Sequence, residues 1–206
     1  MVNTLALDLG TKTGWATYDN GTVDSDTELL ATEKALTEAR KLGAERTFDI
    51  RFRNLMCLVL SKIRQHKIRQ IVFEDVIFLS SQSQAQLWAS LRGAVWGAVM
   101  AHELAEANSV GEPVSIQCVP VGTLKLFATG KGNAQKEQMA ESLKLVYPGL
   151  FTGRQPDDNE IDAIWLLWYA LAVDRGEVSF SSIWSRKQAE KAAKKAKAKV
   201  KAVLNH

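Results

Sequence analysis

Cysteine and long apolar runs are scarce in this sequence, and internal repeats are absent. Only two of the 206 residues are cysteine, Cys57 and Cys118, and both lie inside apolar runs without the spacing of a metal site. We therefore expect two small core residues of a protein in a reducing compartment. No apolar run reaches the roughly 18 residues of a membrane span, and no segment has the pattern of a signal peptide. These absences predict a cytoplasmic protein that does not enter a membrane.

The chain also lacks a linker long enough to separate two globular domains, so its length favours one sizeable core. Hydrophobic residues make up 46% of the sequence and charged residues 24%, which is ordinary for a soluble globular protein. The one plausible boundary is the segment 179–185. We predict a globular domain over residues 1–178 and a basic, Lys/Ala-rich helical tail over residues 179–206.

The net charge of +3 conceals an asymmetry between the body and the tail. Residues 186–206 carry eight Lys or Arg residues and one acid, whereas the first 185 residues carry 18 basic and 22 acidic groups. Alanine and lysine both favour helix. The tail is either a solvated helix that aids solubility or a sequence-independent contact to a nucleic-acid backbone.

The hydrophobic pattern predicts an α/β fold. Asn20-Gly21 lies between two strand-like segments, which is typical of a hairpin turn, so the chain should open with a three-stranded antiparallel meander. Two later strands, in RQIVFEDVIF and VSIQCVPV, alternate with helices and should lie parallel to each other. The helices are expected at about 35–66, 82–107, 121–130, 135–147 and 157–173. The prediction is a five-stranded mixed sheet, three antiparallel strands and then two parallel ones, with helices on both faces.

Asp8 is the first residue that suggests chemistry, because it lies in the apolar strand of NTLALDLG. A lone ionised carboxylate in such a place must be paired, metal-bound or protonated. Glu74 and Asp75 end a second apolar strand, IVFEDV. Successive side chains of a strand point to opposite faces, so only one of these two acids can share a site with Asp8.

A third group of acids opens the last predicted helix, in PDDNEIDAIW. At about 100° per residue, Asp158 and Asp162 lie about 40° apart, whereas Asp157 and Asp162 lie about 140° apart. We therefore expect Asp158 and Asp162 to face the site together and Asp157 to cap the helix. Taken singly, each acid has a structural explanation, as a turn residue or as a favourable charge at the helix N-terminus.

Taken together, these carboxylates indicate a metal site. Several carboxylates in a small space cannot all stay ionised without a cation. Hard oxygen ligands select Mg²⁺ or Mn²⁺. Two such ions can activate a water and stabilise the leaving oxygen in phosphodiester hydrolysis.

Four segments, in this order and at these separations, resemble the motifs of RuvC-type Holliday junction resolvases of the ribonuclease H-like superfamily. They are LALDLGTKTGWA, IVFEDV, VGTLKLFATGKGNAQKEQM and DDNEIDAIWLLWYA, within about residues 3–175. The first motif also occurs in actin-like ATPases and YqgF-type proteins. The third is more specific, because Lys125, the Gly130–Gly132 pair and Lys136 match the family's short helix, glycine turn and following lysine. GKGN is not a P-loop, since no glycine stands five positions before Gly130.

The resemblance implies a ribonuclease H-like fold and a Mg²⁺-dependent endonuclease that cuts four-way DNA junctions. Two Mg²⁺ ions are implied, with Mn²⁺ able to substitute, and products with 5′-phosphate and 3′-hydroxyl ends. Asp8, Glu74 and Asp162 match the family's metal-binding catalytic carboxylates. The family has an Asp or His three residues before the last of these. That position is Asn159 here, so Asp158 is the expected substitute as fourth ligand.

The resemblance also implies a DNA-binding surface and a homodimer. Lys125 and Lys136 match lysines near the scissile phosphate, and Lys136 is a candidate catalytic residue. Lys131 and Arg92 are further candidate DNA contacts, and Phe78 is the candidate aromatic residue at the junction centre. Solvated lysines and a buried phenylalanine are the structural alternatives for these positions.

The long helix over 82–107 carries many small residues, and its small-residue face is the expected dimer interface. Two other functions compete with the nuclease. One is a YqgF-like nucleic-acid-processing protein or a junction-binding protein that does not cleave. The other is an actin-like ATPase, which would need a second phosphate motif and a duplicated domain.

Overall fold

A computed structural model describes residues 1–43, 46–75, 81–106 and 113–178, without the side chains of residues 46–49. Phe78 and the tail 179–206 lie outside the described residues, so the expectations for both stay predictions. In the part of the chain that is described, no helix is long and apolar enough to cross a membrane.

A five-stranded mixed sheet in the order β3-β2-β1-β4-β5 forms the centre of the fold. The strands are β1 (Thr4–Asp8), β2 (Lys12–Asp19), β3 (Thr22–Leu29), β4 (Gln70–Asp75) and β5 (Ser115–Pro120). The first three strands are antiparallel, and β4 pairs in parallel with both β1 and β5. Asn20 and Gly21 both have positive φ, as a tight two-residue hairpin turn requires. The predicted meander and mixed sheet are confirmed.

Helices cover both faces of this sheet. In the described residues these are α1 (Glu33–Leu42), α2 (Arg46–His66), α3 (Gln82–Ala105), α4 (Val121–Thr129), α5 (Lys136–Val146), α6 (Asp158–Asp174) and a 3₁₀-helix (Pro148–Phe151). The single helix expected over 35–66 is wrong, because α1 ends at Gly43. Its φ of 132° is a conformation that side chains disfavour and glycine tolerates. The 3₁₀-helix has no counterpart in the sequence analysis.

Each face of the sheet has its own core. Leu5, Leu7 and Phe73 pack on one face with side chains of α2 and α3. Ala6 and Val72 pack on the other face with side chains of α4, α5 and α6. The alternation along β1 and β4 therefore assigns every second residue to the α6 face, which becomes important at the ends of these strands.

The cysteines do not lie in either core, so that expectation is wrong. Both thiols are free and exposed. Cys57 follows the buried Leu55 by two residues on α2, which turns it about 200° around the helix, away from the sheet. Cys118 lies on β5, which is an edge strand of the sheet as far as the described residues show.

The small-residue face of α3 packs partly within the chain. Ala94 and Ala98 are fully buried. A Cβ built at Gly93 or Gly97 would come within 3.7 Å and 3.9 Å of the Phe52 ring on α2. These residues let α2 and α3 approach closely, and they are therefore occupied by intramolecular contacts.

Candidate active site

Asp8 and Glu74 lie side by side at the same end of two adjacent parallel strands. The register pairs Leu7 with Phe73, so Asp8 and Glu74 are the next positions on β1 and β4. The residues two positions earlier in each strand belong to the core beneath α6. Because side chains two apart share a face, both carboxylates point to the α6 side of the sheet.

Asp75 lies on the opposite face, so the alternative left open by the sequence is resolved in favour of Glu74. The Asp75 carboxylate lies 3.8 Å from the guanidinium of Arg92 on α3. That guanidinium also lies over the rings of Trp88 and Phe73, 4.6 Å and 5.5 Å from their centroids. Arg92, a predicted DNA contact, is thus held by internal contacts, with 38% of its side chain exposed.

Helix α6 reaches the carboxylates because Gly14 has no side chain. Gly14 is the cross-strand partner of Asp8. A Cβ at this position would lie 1.9 Å from the carbonyl oxygen of Asn159, in the first turn of α6. The backbone of α6 therefore occupies the space that a side chain at position 14 would need. This close approach brings Asp162 of α6 to the site. Gly14 was not among the predicted site residues, although a glycine inside a strand can indicate close backbone approach.

The start of α6 is fixed by Asp157, as expected of a capping residue. Its Oδ1 accepts hydrogen bonds from the backbone N–H groups of Asn159 and Glu160, both at 3.0 Å. The same oxygen accepts from Thr27 Oγ1 on β3 at 2.9 Å, and Oδ2 lies 2.7 Å from Lys12 Nζ on β2. The predicted role of Asp157 is confirmed, and its carboxylate faces β2 and β3.

Electrostatic repulsion shows that Asp8, Glu74 and Asp162 form one cluster. Burial is the main cause that raises the pKa of Asp8 well above its usual value, and the charges of Asp162 and Glu74 add to it. Burial and then Asp162 raise the pKa of Glu74 to about 7, against the opposing charge of Lys125. Burial also raises the pKa of Asp162 to about 6, against Lys136 and Lys125. The three ionised carboxylates therefore destabilise one another.

The three carboxylates are without a compensating contact in the part of the chain that the structure describes. Across the described ranges, no hydrogen bond or ion pair reaches the carboxylates of Asp8, Glu74 and Asp162. Over the same residues, no group of three or more His, Cys, Asp or Glu side chains has the arrangement of a formed metal site. Carboxylate oxygens are nevertheless the ligands that Mg²⁺ and Mn²⁺ prefer. The donor chemistry fits a divalent cation, and the side chains would have to close around it.

Asp158 stands at the edge of this cluster, beside Lys136. Its Oδ2 accepts a hydrogen bond from Lys136 Nζ at 3.0 Å. The two side chains are 51% and 65% exposed, so the pair is weak and opens easily. The hydrogen bond to Asp158 raises the pKa of Lys136. Asp158 also adds to the repulsion on Asp162, as the 40° separation on one helix face predicts.

Lysines of α4 and α5 surround the carboxylates. Lys125 on α4 and Lys136 at the start of α5 each lower the pKa of two of the clustered acids, so both charges act on the site. Lys131 is exposed in the turn between these helices. That turn begins at Gly130, whose left-handed φ of 75° ends α4. The predicted short helix, glycine turn and lysine are therefore present in the described structure.

The order of the strands, with carboxylates at the ends of β1 and β4 and at the start of α6, defines a ribonuclease H-like fold. A scan of family models and a search of curated proteins found no match to this chain. Solved structures do match it. The chain thus has the architecture that its motifs predict.

Three solved structures of resolvases share this fold. RuvC from Thermus thermophilus is 20% identical, with a TM-score of 0.57 over 84% of this chain and 96% of that chain. T. thermophilus RuvC in complex with a Holliday junction substrate is 16% identical, with a TM-score of 0.60 over 85% and 97%. The yeast mitochondrial Holliday junction resolvase Ydc2 is 10% identical, with a TM-score of 0.52 over 79% and 76%. The resemblance to RuvC-type resolvases is confirmed at the level of the fold.

Proposed function

We propose that this protein is a metal-dependent, structure-specific endonuclease of the RuvC type that resolves four-way DNA junctions. The observation that carries the proposal is the cluster of Asp8, Glu74 and Asp162. These partly buried carboxylates repel one another and have no counter-charge in contact among the described residues. The cluster lies in a fold shared with RuvC, of which one solved structure contains a Holliday junction.

Bound Mg²⁺, as two ions that Mn²⁺ can replace, would neutralise the carboxylates and activate water for in-line attack on the phosphodiester. Asp8, Glu74, Asp162 and Asp158 are the residues that would hold these ions. Asp158 has to leave Lys136 to do so, which costs little for an exposed pair. Because the carboxyl pKa values of Glu74 and Asp162 reach about 7 and about 6, metal binding near neutral pH should release protons.

The lysines beside the carboxylate cluster have a role separate from metal binding. Lys136, once free of Asp158, and Lys125 can place positive charge against a phosphate and stabilise the charge that develops during hydrolysis. We assign Lys131 and Arg92 to contacts with the DNA backbone, and Phe78 to the junction centre. The basic tail over 179–206 would add phosphate contacts that do not depend on sequence.

A four-way junction requires two symmetry-related cuts, which a homodimer can make. The exposed apolar residues of α3 offer a surface for a second copy, since they repeat once per helical turn. They are Trp96, Met100 and Leu104, which are 50%, 58% and 74% exposed. We propose this apolar stripe of α3 as part of the dimer contact.

The test is a synthetic four-way junction incubated with wild-type protein and with Asp8→Asn, in Mg²⁺ and in EDTA. We expect paired nicks from the wild type in Mg²⁺ alone, and products that DNA ligase can rejoin, because the ends would be 5′-phosphate and 3′-hydroxyl. Asp8→Asn should bind the junction and leave it uncut. Asp174→Asn, an exposed acid at the far end of α6, is the matched control and should cut normally.

Equal nicking by wild type and Asp8→Asn would show that the carboxylate cluster is not the active site. Junction binding by the wild type with no cleavage in Mg²⁺ would instead favour a non-cleaving junction-binding or YqgF-like function. Products that resist ligation would contradict the proposed 5′-phosphate and 3′-hydroxyl ends.

A further inference from the structure

Glu160 is a buried charge in the first turn of α6 that the proposed chemistry does not use. Its side chain is 3% exposed. Two residues at about 100° each place it about 200° around the helix from Asp162, so it cannot share the metal cluster. A buried carboxylate is unfavourable unless it is paired and hydrogen-bonded. Its partners therefore reveal what this position does.

Two side chains from outside the helix hold the Glu160 carboxylate. Arg154 Nη1 donates to Oε2 at 3.0 Å and Arg154 Nη2 donates to Oε1 at 2.6 Å, a two-pronged arrangement with strong directionality. Ser25 Oγ on β3 also donates to Oε1, at 2.7 Å. Arg154 Nη2 lies 3.4 Å from the Ser25 carbonyl oxygen as well. We call Ser25, Arg154 and Glu160 the α6 clamp, because together they tie the first turn of α6 to β3.

Stability alone does not explain a clamp of this kind. The pair is half-buried, since the Arg154 side chain is 44% exposed and that of Glu160 only 3%. An ion pair that is out of water on one side can often be replaced by apolar residues of similar size with no loss of stability. Its particular property is direction, because a planar guanidinium and a carboxylate fit in few relative orientations. The clamp therefore fixes both the height and the rotation of α6 against the sheet.

The residue that depends most on this rotation is Asp162. Its ionised carboxylate is repelled by Glu74 and Asp8, which lie across from it on the sheet. This repulsion acts to push α6 away from β1 and β4. The α6 clamp holds the opposite side of the same turn to β3, and so opposes that displacement.

We propose that the α6 clamp positions Asp162 for metal binding, with Arg154 and Glu160 as positioning residues. The inference rests on the proposed metal-dependent function. Loss of a partner that orients a metal ligand typically lowers metal affinity or activity about 10–100-fold. A displacement of about 1 Å at a reacting centre has a comparable effect on rate.

The test replaces the charged pair with an apolar one, in the double variant Arg154→Met/Glu160→Leu. We expect its melting temperature in EDTA to equal or exceed that of the wild type, and its junction affinity in EDTA to be unchanged. The Mn²⁺ concentration that gives half of the maximal thermal stabilisation should rise about tenfold or more. Its kcat for junction cleavage should fall at least as far, with KM unchanged. Arg154→Lys keeps the positive charge but cannot make the two-pronged contact. Its Mn²⁺ midpoint and kcat should therefore lie between those of the wild type and those of the double variant.

The matched control is Arg175→Met/Glu177→Leu at the other end of the same helix. This exposed pair has the same two-pronged geometry, with Arg175 Nε and Nη2 donating to Glu177 Oε1 and Oε2 at 2.6 Å and 3.0 Å. It lies far from Asp162, so its loss should alter neither the Mn²⁺ midpoint nor kcat. A similar change in both double variants would mean that the effect is general to α6.

The outcomes separate the clamp from the proposed function. If the wild type cuts junctions and Arg154→Met/Glu160→Leu has the same Mn²⁺ midpoint and kcat, the clamp does not position Asp162 and the nuclease assignment stands. If the wild type binds Mn²⁺ without cutting, the nuclease assignment fails and the Mn²⁺ midpoints alone decide the clamp. If Mn²⁺ does not stabilise the wild type at all, both inferences are overturned.

Discussion

Replacing Glu74 with glutamine should make the metal-free protein more stable at pH 8. The pKa of Glu74 is about 7 in the folded protein, above its ordinary value of 4.5, through burial and the charge of Asp162. A carboxyl group with a raised folded-state pKa binds its proton more tightly when folded. Its contribution is therefore fully favourable below about pH 4.5 and is lost as the pH rises through about 7.

The size of the effect follows from the same two values. At about 1.4 kcal/mol per pKa unit, the difference corresponds to roughly 3 kcal/mol at pH 8. Asp8 and Asp162 share the repulsion and relax when one charge is removed, so we expect Glu74→Gln to add about 2–3 kcal/mol. For a chain of this length that is a rise in melting temperature of roughly 4–12 °C.

Thermal denaturation in EDTA at pH 4 and pH 8 measures this directly. The variant and the wild type should melt together at pH 4 and separate at pH 8. Asp75→Asn is the matched control, because Asp75 is the neighbouring residue on β4 and faces Arg92. This variant should be as stable as the wild type or less stable. A wild type that becomes more stable from pH 5 to pH 8, or a Glu74→Gln protein that melts no higher at pH 8, would refute the electrostatic reasoning.

Three further predictions concern other parts of the chain. Gly14→Ala should destabilise the protein by about 3 kcal/mol in urea unfolding, because its Cβ would overlap the α6 backbone. Gly149→Ala is the control and should be near neutral, because its Cβ would meet nothing within 4 Å. Trp96→Glu should shift the sedimentation coefficient to that of a monomer, whereas Leu145→Glu, at an even more exposed apolar site on α5, should not. A dimer that survives Trp96→Glu contradicts the proposed stripe. Deletion of residues 186–206 should weaken junction binding and flatten its salt dependence in a fluorescence titration, and unchanged affinity at every salt concentration would return the tail to a solubility role.

The strands and their order along the chain could be predicted from local patterns. A buried strand, an Asn-Gly turn and alternation with helices are properties of short segments, and each is set mainly by local propensity and hydrophobic spacing. The break between α1 and α2 could not be predicted in the same way. Apolar spacing continues across it, whereas α1 ends because Gly43 takes a φ of 132° that side chains disfavour.

The candidate site could be predicted only where helix or strand periodicity decides which way a side chain faces. Helical geometry separated Asp157 from Asp158 and Asp162, and the structure places Asp157 in the capping position. Strand alternation showed that Glu74 and Asp75 face opposite ways but not which of them faces Asp8. That choice depends on the register between β1 and β4, which lie more than 60 residues apart and are aligned by core packing.

Contacts between distant side chains were beyond local reasoning altogether. Ser25 and Glu160 are separated by 135 positions, and no spacing rule brings them together. Glu160 is one of the acids that open the last predicted helix, and periodicity shows only that it lies about 200° around the helix from Asp162. Its actual partners, Arg154 and Ser25, appear once the first turn of α6 is seen against β3.

The repulsion between the carboxylates and the contacts of the α6 clamp act in opposite directions on the first turn of α6. A test that combines the two is therefore sharper than a test of either alone. If the α6 clamp works by opposing repulsion of Asp162, its importance should fall when Glu74 is neutral. The Glu74→Gln change should then reduce the effect of Arg154→Met/Glu160→Leu on amide hydrogen exchange in the first turn of α6. Measured without metal, this coupling is independent of cleavage. Effects that simply add would indicate that the clamp and the carboxylates act separately, because coupling between sites appears as non-additivity.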